Sequence, residues 1–301
     1  MTVRRPTRPT RPAALRAVLA LALAAGLAAC GAPRDSSSGT AGGASAGATG
    51  SAACDKASLR TVTAGTLTVA TDKPVYEPWF SGDDPTNGKG FESAVAYAVA
   101  AKLGYDKAEV TWTRVPFDSV VTPGTKAFDL DFNEFSITDE RKKAVDFSSG
   151  YYDVRQAVVT YQGSPIAGAT SVAALASSRL GAQVGTTSLT AITDQVKPSS
   201  APMVYNTNDL AVQALKNKQI DGLVVDLPTA FYVVSAQLDG GVIVGQLPAA
   251  GGTPEQFGAV LAKGSPLTAC VSSAVDALRA DGTLGRLETQ WLAGQGAPEL
   301  K

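Results

Sequence analysis

The sequence predicts an α/β fold with mostly parallel sheets, because short β-branched runs alternate with helical segments along most of the chain. Two further features support that class: the runs close on turn-forming or acidic residues, and several helical segments carry their own start and stop signals. The 301 residues are 45% hydrophobic and 18% charged with a formal net charge of −1, which suits one large domain or two small ones.

The first strand is GTLTVATD, residues 65–72, which opens at a turn and ends on Asp72. A loop rich in proline, glycine and aromatic residues follows. FESAVAYAVAAKLG sets Phe91, Val95, Val99 and Leu103 at helical spacing and stops on Gly104. EVTWTRV is a strand, and FDSVVTPGTKAFDLDF holds a short helical piece and then another strand. In NEFSITDERKKAVDFSSGYY, residues 133–152, Glu134, Ser136 and Thr138 alternate with Phe135 and Ile137. A continuing strand there would carry the polar residues on one face.

RQAVVTYQ, residues 155–162, is a strand, and Ser171 stands where it can cap a helix. LGAQVGTTSLTAI reads as strand, Gly-Thr-Thr turn and helix start. TNDLAVQALKNKQIDGLVVD reads as capped helix, turn and buried strand ending on Asp226. PTAFYVVSAQL is helical despite its β-branched residues. The remainder gives a strand, a helix opened by Ser265 and Pro266, and a shorter C-terminal helix. VVTYQGSPIAG and AVLAKGSPLTA echo each other as a strand followed by Gly-Ser-Pro.

The N-terminus is of another kind. Arg4, Arg5, Arg8, Arg11 and Arg16 precede the apolar run Ala17–Ala29 and then Cys30. That run is well short of the ~20 residues a spanning helix needs, so residues 1–29 read as an export signal. Leu27-Ala28-Ala29-Cys30 resembles a bacterial lipobox. This implies cleavage before Cys30, its lipidation, and anchoring at the outer face of the bacterial cell membrane; an ordinary signal peptide is the alternative. Loss of those arginines leaves a mildly acidic exported chain, which lacks the electrostatic footprint of a nucleic-acid binder. Residues 30–58 are expected to be a tether, since GAPRDSSSGTAGGASAGATGSAA has the composition of flexible coil. With Cys30 set aside, Cys54 and Cys270 remain as an even pair in an oxidising compartment and predict a disulfide, the alternative being two separate core residues.

Taken together and in order, GTLTVATDKPVYEPW, GFESAVAYAVAAKLG, SITDERKKAVDFSSGYY, LGAQVGTTS, LKNKQIDGLVVD and LRADGTLGRLETQW resemble the polar-amino-acid solute-binding proteins of ABC importers. The resemblance runs from about residue 65 to 291. It implies a periplasmic-binding-protein-like α/β fold: two lobes, two hinge strands and a ligand cleft between the lobes. Lobe 1 is expected at 59–160 plus 256–301 and lobe 2 at 161–255, with the strand–Gly-Ser-Pro segments at the crossings.

The same resemblance implies the site. Arg141 clamps the ligand α-carboxylate with two parallel charge-assisted hydrogen bonds, and Ser136 helps to hold it. Thr186 and Thr187 stand at a helix N-terminus, where free N–H groups favour an anion. Asp226 receives the ligand ammonium. Asp72, Tyr76, Trp79 and Phe80 follow the first strand, where relatives shape the side-chain pocket; for Trp79 and Phe80, packing under a long loop is an equal reading. Glu134 departs from relatives that carry a small residue there. Facing the cleft, its carboxylate would favour a polar or cationic ligand side chain; facing solvent, it would mean nothing.

The partners implied are an amino-acid-like small molecule, an ABC permease and the membrane through the lipid anchor, for a monomer without cofactor or metal. The same fold also serves cyclohexadienyl dehydratase-like enzymes, with a cleft carboxylate such as Glu134 or Asp226 as acid or base, and a sensor without transport is a third reading. The chain contains no histidine, no nucleophile–base constellation is visible, and the lipobox suits a receptor beside a membrane partner.

Overall fold

The computed structural model describes residues 54–292 and 296–301. The expected export signal, Cys30 and the expected tether up to residue 53 lie outside the described residues. The chain runs β1 (Leu67–Thr71), α1 (Phe91–Lys102), β2 (Val110–Arg114), α2 (Phe117–Val120), β3 (Leu130–Asp131) and β4 (Val145–Phe147), then leaves through β5 (Tyr152–Val154). It continues as β6 (Gln156–Tyr161), β7 (Leu180–Gln183), α3 (Thr187–Ala191), β8 (Met203–Tyr205), α4 (Asn208–Lys216), β9 (Gly222–Asp226), α5 (Leu227–Tyr232) and β10 (Gly241–Gln246). It returns through β11 (Glu255–Phe257) to β12 (Val260–Ala262), α6 (Thr268–Ala280) and α7 (Thr283–Leu292).

Two five-stranded sheets result, ordered β2-β1-β3-β12-β4 and β10-β6-β9-β7-β8. Helices cover the first sheet, and all five residues of β1 are buried, as a central strand requires. Both sheets are mixed rather than mostly parallel. β1 runs parallel to β2 and β3, and β7 to β8 and β9, whereas β12 and β6 run antiparallel to their neighbours. β6 and β12 are the first strands after each crossing, so they run away from the cleft while β1, β7 and β9 run toward it. The carboxyl ends of the parallel strands therefore open on the cleft, the usual ligand side of such sheets.

The lobes are joined by the antiparallel pair β5–β11, with Tyr152 opposite Phe257. β6 belongs wholly to the second sheet, so the first crossing ends near Val154, not at residue 160. Each strand–Gly-Ser-Pro segment lies inside a lobe just after its crossing. The C-terminal boundary also shifts: Leu300 is 2% exposed in the second lobe's core, its N–H donates to the Gln246 carbonyl at 2.8 Å, and Val172 N–H donates to the Lys301 carbonyl at 2.9 Å. Packing on the first lobe is present before residue 59, since Lys56–Ser58 forms a 3-10 turn, Lys56 pairs with Glu109 at 2.5 Å, and the Cys54 and Cys270 sulfurs are joined.

Two local expectations change. Residues 133–138 are not a continuing strand: Glu134 has φ +55°, in the left-handed region, which breaks the pleat, and Ser136 makes only an isolated bridge to Phe257. Ser171 precedes a 3-10 turn, Val172–Leu175, and makes no side-chain cap. Elsewhere Gly104 ends α1 with φ +84°, and Thr207 caps α4 by accepting from Leu210 N–H at 3.2 Å.

Candidate functional site

A cavity opens between the lobes. Asp72, Tyr76, Phe117, Asn133, Glu134 and Arg141 line it from the first lobe; Gln183, Thr186, Thr187, Ser188, Asn208, Val225 and Asp226 line it from the second. Its positions follow from the sheets: Asp72 comes just after β1, Gln183 ends β7 and Asp226 ends β9.

Arg141 is the cation of this wall. Its guanidinium lies 5.3 Å from the Phe135 ring centre and 5.6 Å from that of Phe117, and those two rings stack at 4.3 Å. Such stacking holds the planar group in one orientation. Nη1 donates to the Ser136 carbonyl at 2.7 Å, and Nη2 crosses the cleft to the Gly185 carbonyl at 2.9 Å. Burial lowers its pKa to about 10, opposed by Glu255 and Asp226, so the group stays cationic at neutral pH.

Hydroxyls gather beside it. Thr186 caps α3, accepting from Leu189 N–H at 3.2 Å and donating to the Gln183 carbonyl at 2.7 Å. The Thr187 and Ser136 hydroxyls lie 3.2 Å apart, and Ser136 donates to Glu255 at 2.8 Å. Gln156 Nε2 donates to Asp226 at 2.7 Å, while its Oε1 accepts from Ser188 at 2.6 Å.

Three lining carboxylates face this single arginine. Burial raises the Asp226 pKa to about 8, with Glu255 adding to it and Gln156 and Arg141 opposing. Burial raises Glu134 well above the usual range, and the charges of Glu92 and Asp226 push it further. Asp72 is also raised, chiefly by burial. Thr229 donates to Glu134 Oε2 at 3.1 Å, which places that carboxylate against the second lobe. Crowded, partly desolvated acids favour proton uptake or a bound cation.

Residues 67–294 match the family of bacterial extracellular solute-binding proteins, family 3. The chain belongs to that family. Among its relatives, the ABC transporter arginine-binding protein 1 of Escherichia coli K12 is 31% identical over 227 residues, covering 72% of this chain and 86% of that protein. The arginine-binding extracellular protein ArtP of Bacillus subtilis is 28% identical, covering 73% and 84%. An ancestral arginine-binding protein solved with arginine superposes with TM-score 0.64 at 29% identity, covering 76% of this chain and 99% of that one. The ancestral amino-acid-binding protein AncCDT-1, described as a precursor of cyclohexadienyl dehydratase, gives 0.62 at 30% identity, covering 75% and 95%.

Within this solute-binding fold, Arg141, Asp226, Thr186, Thr187, Tyr76, Asp72 and Glu134 all line the cavity. Ser136 sits behind the lining, with its hydroxyl on Glu255 and Thr187. Trp79 and Phe80 do not shape the pocket: both are fully buried in the first lobe's core. Trp79 packs edge-on against Phe91, Tyr152 and Phe257, and Phe80 against Trp112, because an aromatic loop over a hinge buries more apolar area as core than as pocket wall. The Trp79 indole N–H still reaches the other lobe, donating to Thr229 at 2.8 Å. Sequence reasoning missed Gln156, Gln183, Ser188, Asn208 and Phe117, as well as Glu255 and Thr229. Gln156 opens β6 just after the first crossing and Glu255 opens the crossing strand β11, so only their place beside the hinge would have flagged them.

Proposed function

We propose that this chain is the receptor of an ABC importer for a cationic L-amino acid, arginine or a close analogue. The observation that carries the reading is the charge balance of the cavity: one stacked arginine faces the half-buried carboxylates Asp72, Glu134 and Asp226. Arg141 takes the ligand α-carboxylate with its fork, helped by the Ser136 and Thr187 hydroxyls. Asp226, held by Gln156, takes the α-ammonium. Glu134 and Asp72 take the distal cation between the Tyr76 and Phe117 rings. The lobes close on the ligand about β5 and β11 and hand it to a permease.

Names of the relatives support a receptor over an enzyme, and several of those relatives are named for arginine. In this reading the mature protein is a monomer anchored outside the cell through lipidated Cys30 and its Gly/Ser tether, with Cys54 and Cys270 oxidised. A thermal-shift and calorimetric screen of the purified protein against the amino acids, ornithine and polyamines tests it. Arginine, lysine or ornithine should raise the melting temperature by mass action, glutamine less, and glutamate not at all. A response to acidic amino acids alone, or turnover of a prephenate-like acid, would overturn it.

A further inference from the structure

We infer that Glu92, which lies outside the cavity, is a positioning residue for ligand choice: it holds the Glu134 backbone in its left-handed turn and so aims the Glu134 carboxylate into the cleft. The inference rests on the cationic-ligand reading above.

Glu92 is the second residue of α1 and is fully buried. Its Oε1 accepts from the Glu134 backbone N–H at 2.7 Å and from the Tyr151 hydroxyl. Its Oε2 has no hydrogen-bond partner. One carboxylate therefore ties a helix, the cleft loop and the residue that leads into the hinge strand β5, since Tyr151 N–H itself donates to the Phe257 carbonyl at 2.8 Å.

Glu134 needs such a tie. At φ +55° its backbone sits where glycine is at ease and a residue with a long side chain is not. The turn also takes its N–H out of any sheet ladder, and a buried N–H must find an acceptor. With Glu92 accepting, the Glu134 side chain emerges toward Thr229 of the second lobe and the cavity. Without the acceptor, the N–H is orphaned, the extended backbone becomes the easier conformation, and the Cβ points elsewhere. The distal cation of the ligand then loses its carboxylate, while a neutral side chain of similar length loses little.

Position and charge make opposite forecasts for one substitution. Burial pushes Glu92 up to about 7, opposed by the bonds from Tyr151 and the Glu134 N–H, and its negative charge raises Glu134 in turn. Glu92→Gln keeps an accepting oxygen and removes the charge. If Glu92 attracted the ligand by its own charge, E92Q would lose the preference for arginine; if it positions Glu134, E92Q keeps it.

The test measures arginine and glutamine affinity by calorimetry on the purified protein and on E92Q, E92A, E134Q and E92A/E134Q. E92A should weaken arginine about tenfold and glutamine less than about threefold. E92Q should retain the preference, and E92A should change it no further in the E134Q background. Hydrogen exchange of the Glu134 amide in ligand-free protein should be slow in the parent and in E92Q and fast in E92A. Should E92A not fold, Tyr151→Phe removes one donor from the carboxylate and should give a smaller loss in the same selective sense. Equal losses for both ligands, loss of preference in E92Q, or a slow Glu134 amide in E92A would overturn the positioning role. A parent protein that prefers glutamine would overturn the cationic reading and the selectivity claim with it, while the amide exchange would still report the backbone tie.

Discussion

Thr229→Val probes the contact that joins the lobes beside the ligand. The Thr229 hydroxyl accepts from the Trp79 indole at 2.8 Å and donates to Glu134 at 3.1 Å, so one small group bridges the first lobe's core and its cleft loop to α5 of the second. Valine keeps the shape and removes both bonds. A bond to a neutral partner contributes about 0.5–1.5 kcal/mol and one to a charged partner about 1.5–3, with a further cost for an indole N–H left buried. These losses fall on the closed state, because opening the cleft lets water reach the same groups. A closed state less stable by about 2–4.5 kcal/mol weakens the ligand by roughly 30- to 1,600-fold, since each 1.4 kcal/mol is tenfold. Titration calorimetry gives Kd, and small-angle scattering of ligand-free protein reads the shift toward the open form. A Kd within about twofold of the parent, with unchanged scattering, would refute a latch at Thr229.

Arg141→Ala should lose ligand binding by more than about a hundredfold with cooperative unfolding retained, and Arg141→Lys, which keeps charge but not the fork, by roughly tenfold; loss of the fold in R141A would assign the residue to structure. Asp226, raised by burial from 3.8 to about 8, stabilises the ligand-free protein in full only below about pH 4. That contribution is lost as the pH rises toward 8, so the ligand-free melting temperature should fall over this window. Arginine affinity should move the opposite way and tighten as Asp226 ionises, with proton release visible in buffers of different ionisation enthalpy; a flat profile for both would exclude the buried acid. Replacing Cys54 and Cys270 with serine opens a link spanning 216 residues and should cost about 2–4 kcal/mol in denaturant unfolding, and no change in midpoint would show that the link adds nothing.

Much of the framework was legible because it rests on local rules. The apolar strand that ends on Asp226 and the Gly-Thr-Thr turn before α3 put their polar residues at strand ends, where the cleft lies. Glu134 was legible as a question only. Its alternation with Ser136 imitates a strand, while the structure sets both groups inward through a left-handed turn held by Glu92, 42 residues away. Trp79 and Phe80 carry the composition of a pocket wall, and nothing local distinguishes that from a core under a hinge. Gln156 and Glu255 are 99 residues apart and meet only because the chain crosses between lobes at β5 and β11. Long-range pairings of this kind leave no periodic trace.

The last residues of the chain carry a practical consequence. Cys54 is bound to α6 of the first lobe, whereas Leu300 and Lys301 dock on the second. The two ends of the described chain therefore ride on opposite jaws. A donor dye near Cys54 and an acceptor after Lys301 would report jaw motion as a change in energy transfer, with no insertion into either lobe. Residues 54 and 301 thus offer one labelling point on each lobe.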